Sequence, residues 1–163
     1  MRRERTLSFM FAATLLWVLA PGDPVVADDG SYKTAGGLAV YLGVLPAAMV
    51  QGHSKDRPEE TMHGGVPRGR HAFHVVAAVF EIENGARIDH AAVEASVTPL
   101  ADAIAHVAGV TRRLEPMVIA GTVTYGNYFT MRGDGPYRIA VAIHRAEAAK
   151  PVTLEFTYDH QTR

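Results

Sequence analysis

The chain contains no cysteine. That absence removes disulfides, thiolate metal sites and cysteine nucleophiles together, so an exported form of the protein rests on its packed core alone. A basic stripe is also missing. The formal net charge is −1 and the basic residues do not cluster beyond the N-terminus, which argues against a nucleic-acid partner. There is no Gly-x-Ser-x-Gly elbow, phosphate-binding loop, His-Glu-x-x-His pair or dinucleotide fingerprint. Glu59, Glu60 and Asp134 read as ordinary surface acids, and nothing nominates an enzyme.

What is present first is an address. Arg2, Arg3 and Arg5 precede an apolar run from Leu7 to Ala20, which Pro21-Gly22 breaks. Val25-Val26-Ala27 then places small residues at −3 and −1 before Asp28-Asp29. This pattern predicts a secretory signal peptide, residues 1–27, cleaved after Ala27, and a periplasmic protein. The run is short for a membrane span, which needs about 20 apolar residues, and without cysteine there is no lipoprotein anchor. Residues 28–163 then suit one domain.

The mature chain reads as strands. Asp28 to Gly37 is polar and expected to fray. Leu38–Leu45 is apolar on both faces, as a covered strand would be, and Pro46 ends it, with Ala47–Val50 resuming pairing after a bend. Residues 51–70 have no periodicity but hold six Gly or Pro residues, among them Gly64, Gly65 and Gly69. They predict a long surface loop, uncommon unless functional or disordered. His71–Ile82 is the strongest strand and, being apolar at both parities, should be central. Asn84-Gly85 signals a hairpin with Arg87–Val97 as the return strand, and a parity change predicts a bulge or turn near Asp89-His90. Thr98-Pro99 predicts the start of a short helix ending at Gly109, with a loop insertion as the alternative.

Arg112–Ala120 follows as a strand in which Pro116 marks an edge or bend. Thr122–Met131 is interrupted at Gly126-Asn127. Tyr137, Ile139, Val141 and Ile143 alternate inward, and after Pro151 so do Val152, Leu154, Phe156 and Tyr158. About seven strands separated by turns predict an all-β fold, an immunoglobulin-like antiparallel β-sandwich. An edge-opened barrel is the alternative. A tyrosine placed behind the tight Gly133-Asp-Gly-Pro corner favours the sandwich.

The chemistry-bearing residues are histidines and methionines. The chain has 8 His, and imidazole with thioether suits copper, or iron or zinc if a carboxylate joins. His71 and His74 are an odd spacing apart, so a strand points them to opposite faces. His74 heads the central strand beside the long loop, as a ligand or as a strand-end imidazole bonded to backbone. Met62 and His63 are adjacent in the Gly-rich loop and reach one ion if the backbone turns sharply, which glycines permit; a solvated loop is the alternative. His53 has the same standing. Met117 is either a thioether ligand or a core filler. His90, His106, His144 and His160 read as surface residues.

The run Pro116-Met117-Val-Ile-Ala, then Tyr125-Gly-Asn, then Gly135-Pro-Tyr137-Arg-Ile resembles the periplasmic iron-transport-associated protein family. The resemblance implies an immunoglobulin-like, dimeric protein that binds copper and is tied to iron uptake, with the metal ion, a second copy and a membrane permease as partners. It makes Met117 the thioether ligand and His74 the strand-start histidine. The family histidine directly before Tyr125 is here Thr124, and threonine is a poor ligand for copper or ferrous iron. A substitute from the long loop, His63 or Met62, would complete the site. Two functions therefore stand: a periplasmic protein holding copper or iron for metal handling or uptake, or a non-catalytic envelope module that binds a partner and no metal.

Overall fold

In the computed structural model, residues 30–50, 62–100, 108–119 and 121–161 are described. The expected leader, His53, His106 and the body of the expected helix after Thr98 lie outside them. The described elements are β1 (Tyr32–Ala35), β2 (Leu38–Pro46), α1 (Ala47–Val50), β3 (Ala72–Glu81), β4 (Ala92–Pro99), β5 (Val110–Ile119), β6 (Thr122–Thr130), β7 (Gly135–His144) and β8 (Val152–His160). All pairings are antiparallel, in the order β1-β2-β3-β6-β5-β4-β7-β8. The protein is an all-β sandwich that curls towards a barrel, with β1 lying near β8.

One strand joins the two layers. Val110–Leu114 of β5 pairs with β4, and Glu115–Ile119 pairs with β6. Pro116 follows directly on this change of partner, where a missing N–H and a fixed φ are tolerated. Alternation does the rest. Phe73, Val75, Ala77 and Val79 of β3 point into the core, together with Tyr125 and Phe129 of β6 and Leu114 of β5. From the other layer come Val93, Ala95 and Val97, then Tyr137, Ile139, Val141 and Ile143, then Leu154 and Phe156. The Tyr137 hydroxyl donates to the carbonyl oxygen of Arg132 at 2.9 Å, closing the expected corner. Met131 is wholly buried in this core.

Several expectations are corrected. Residues 32–35 are a strand, which the pairing of Tyr32–Ala35 with Leu38–Tyr41 supports despite their polar composition. Ala47–Val50 forms a single helical turn rather than more strand, and Ala47 is buried against Ala72 and Tyr128. Gly85, at φ 69°, makes the turn as expected, but only Phe80 and Arg87 then bridge. The chain crosses to the second layer, where β4 pairs with β5 and β7 instead of β3. Thr98 and Pro99 remain in β4, opposite Arg138 and Tyr137, so Thr98 is no helix cap. Finally, β6 runs without interruption through Gly126 and Asn127.

Candidate metal centre

The pleat that sends Phe73 and Val75 inward sends His74 to the outer face of β3. There His74 lies opposite Tyr128 of β6, and their rings stack 4.6 Å apart. Met117 of β5 lies opposite Thr124 of the same strand β6. Between them sits Gly126, flanked by Val76 on one side and Glu115 on the other. The outer face therefore lacks one side chain at the point where His74 and Met117 converge. A Cβ placed on Gly126 would stand 2.5 Å from Met117 Cε, 2.7 Å from His74 Nε2 and 3.3 Å from Met117 Sδ. The two donor atoms thus lie no more than about 6 Å apart, and glycine is the residue that leaves room between them.

The third donor comes from the long loop. Met62–Gly64 forms one 3-10 turn, and His63 takes up left-handed backbone angles, φ 59° and ψ 21°. This conformation costs a non-glycine residue about 1–2 kcal/mol, and Gly64 and Gly65 continue it at φ 81° and 93°. The sharp turn sends the imidazole down onto the sheet. Its Nε2 lies 3.4 Å from Met117 Sδ and its Nδ1 lies 2.9 Å from Glu115 Oε2. The ring centroid is 5.6 Å from that of His74 and 5.7 Å from that of Tyr128.

The cluster is dry. The His63 side chain and Met117 are fully covered, His74 is 3% exposed, and the Glu115 side chain is 47% exposed. Beside it, Ala47, Ala72, Tyr128 and Val66 form a small second core that holds the loop against the sheet. Two imidazoles and one thioether are borderline and soft donors, a set suited to copper before hard oxygen-seeking cations. Bonds of about 2.0 Å to nitrogen and 2.3 Å to sulfur meet at one ion only when the donors lie closer than about 4.3 Å. His63 Nε2 and Met117 Sδ satisfy that limit. Among the described residues no three histidine, aspartate or glutamate groups converge in ligand geometry, so the thioether is essential to any such set.

Of the four residues nominated from sequence, the structure brings together His63, His74 and Met117. Met62 opens the turn that carries His63, and its side chain lies outside the described residues. His71 precedes β3 and accepts a hydrogen bond from Arg70 Nε at 3.1 Å. His90 and His144 are exposed as expected. His160 is not: it is 3% exposed, with its ring edge-on to Phe73 at 4.7 Å. Sequence reasoning missed Glu115 and Gly126. Glu115 is two residues before Met117, a spacing that puts both on one face of any strand.

No family model matches the chain, and no curated protein matches it. Solved structures share its fold, among them the following three. A DUF4426 family protein from Pseudomonas aeruginosa superposes with a TM-score of 0.60 at 14% identity, covering 81% of this chain and 94% of its own. FetP from uropathogenic E. coli, recombinantly expressed in the periplasm of E. coli, gives 0.58 at 16% identity, covering 80% and 93%. A copper-bound variant of the same FetP gives 0.58 at 16%, covering 82% and 96%. At these identities the likeness is one of fold.

Proposed function

We propose that this chain is an exported periplasmic protein that takes up one copper or iron ion for metal handling or uptake. The observation that carries the reading is that His74 Nε2 and Met117 Sδ converge on the Cβ-free position at Gly126, with His63 Nε2 3.4 Å from the same sulfur. The ion is the cargo, and no catalytic step is assigned to the chain. The residues bind it by three lone pairs, exclude water by burial, and favour a soft cation such as copper(I) through the thioether. The copper-bound FetP neighbour and the signal-like leader support the same direction. So does the immunoglobulin-like family that the Met117 and Tyr125 motifs resemble, whose association with uptake makes a membrane permease or a second copy the expected partner.

The test is loading of purified residues 28–163 with copper(I), copper(II), zinc or ferrous iron, followed by measurement of metal per chain. Near-stoichiometric copper, lost when His74→Ala and Met117→Ala are combined, is expected. Stoichiometric binding that survives both substitutions would remove the site.

A partner-binding module without metal is the second reading. It is favoured by the exposed aromatic strip on the same outer face, where Tyr32 packs against Tyr41 at 4.7 Å and Tyr41 meets Phe80 edge-on at 5.8 Å. It requires no metal above background together with partner capture that Tyr41→Ala abolishes.

A further inference from the structure

We infer that Glu115 is the positioning residue of this site: its carboxylate latches His63 over Met117 and fixes which ring nitrogen faces the metal pocket. The inference rests on the metal-binding reading for its purpose but not for its first test. An ionised carboxylate only accepts hydrogen bonds. Across the 2.9 Å contact with Glu115 Oε2, the proton must therefore sit on His63 Nδ1. In the neutral imidazole that leaves the lone pair on Nε2, the atom 3.4 Å from the Met117 thioether. Two lone-pair donors then face each other in a covered space, an arrangement with no attraction of its own and well suited to a cation.

Three further observations favour a latch over a casual surface contact. The two side chains are unequal, with the His63 ring fully covered and Glu115 47% exposed, so the carboxylate keeps its solvation while holding a buried partner. The loop cannot be held by its own preferences, because His63 is the only described non-glycine with positive φ and such strain persists where surrounding contacts over-determine it. Glu115 and Met117 also share one face of β5, opposite Gly126 and Thr124. One strand thus presents both groups that the imidazole bridges. Carboxylates that orient a ligating histidine in this way typically contribute about 10–100-fold to metal affinity.

The test has two arms, both on the mature chain with Glu115→Ala and Glu115→Gln. In metal-free protein, long-range proton–nitrogen NMR correlations report the His63 tautomer. The Nδ1–H form is expected in the wild type and in Glu115→Gln, whose amide oxygen still accepts, with a mixture in Glu115→Ala. A wild-type His63 protonated on Nε2 alone, or a His63 pattern that Glu115→Ala leaves unchanged, overturns the inference whether or not metal binds. In the second arm, copper(I) transfer to a competing chelator should be about 10–100-fold more favourable from Glu115→Ala than from the wild type, with Glu115→Gln in between. Equal retention by all three proteins overturns the latch while leaving the ligand set intact. A wild type that takes no copper defeats the metal reading and leaves the tautomer arm to decide for Glu115. Thermal melting of each variant separates these effects from loss of fold.

Discussion

His63 and Met117 are 54 residues apart in the chain, yet the imidazole Nε2 of one lies 3.4 Å from the sulfur of the other. One residue belongs to a glycine-rich loop and the other to the strand that joins the two layers. Their contact is what turns a stacked His74–Tyr128 pair on an outer sheet face into a candidate site.

Gly126 should be intolerant of any side chain for reasons of space. In Gly126→Ala the new Cβ meets Met117 Cε at 2.5 Å and His74 Nε2 at 2.7 Å. Overpacking of this kind costs about 1–3 kcal/mol, and the flexible Met117 end would yield first. We expect a modest loss in urea-denaturation midpoint and a disproportionate loss of copper retention. Unchanged retention in Gly126→Ala would mean that the cradle is not where the ion sits.

Thr124 occupies the position where the resembling family has a histidine, and it is the cross-strand partner of Met117. Side chains so paired have Cβ atoms about 4.5–5.5 Å apart. In a His63→Ala background, Thr124→His should therefore restore copper(I) binding in chelator competition, by replacing the loop imidazole with one from β6. No recovery would show that the loop position, rather than the mere count of imidazoles, makes the site.

The Tyr125 hydroxyl lies on the opposite side of the same strand, accepting from the Ala91 amide and donating to the Ile88 carbonyl, both at 3.1 Å. It pins the crossover that carries the chain from β3 to β4. Tyr125→Phe leaves two backbone groups without that partner and should destabilise by about 1–3 kcal/mol, read from the unfolding midpoint, with metal stoichiometry preserved. A neutral substitution would place the crossover's stability elsewhere.

Alkaline pH should unfold the domain through its tyrosines. Burial raises the pKa of Tyr125, Tyr137 and Tyr158 above the ordinary value, and the carboxylates of Asp89, Asp134 and Asp159 respectively push the same way. The unfolded chain ionises near the ordinary value of about 10 while the folded chain still holds its protons. Stability is therefore intact below that pH and falls as pH rises from there through the folded-state values. Tyrosinate absorbance should show a late, cooperative fraction coincident with loss of strand circular dichroism. Smooth titration of all 6 tyrosines before any unfolding would contradict this.

The sandwich was legible where neighbours along the chain decide the outcome. The strict alternation of Tyr137, Ile139, Val141 and Ile143 defines β7 and its buried face, and the apolar run after His71 defines the central strand β3. Pairing partners were not legible in the same way. Asn84-Gly85 encodes a turn, but whether the next strand stays beside β3 depends on competition with β6, which arrives some 40 residues later along the chain. His160 looked like a surface residue because it is polar and near the C-terminus. Phe73, Tyr137 and Tyr158, none adjacent in sequence, enclose it. For the site, the glycine-rich loop nominated Met62 and His63, whereas residue type left His74 and Met117 open and the family resemblance made them ligands. Gly126 read as a strand break because glycine weakens strands; its steric reason comes from two side chains on neighbouring strands.

The most direct test of the account is X-ray absorption at the copper edge of the copper(I)-loaded mature protein. The proposed site predicts one sulfur scatterer near about 2.3 Å and imidazole nitrogen scatterers near about 2.0 Å, with the sulfur shell vanishing in Met117→Ala and the imidazole signal reduced in His63→Ala. A first shell of light atoms alone in the wild type, or a sulfur shell that survives Met117→Ala, would contradict it.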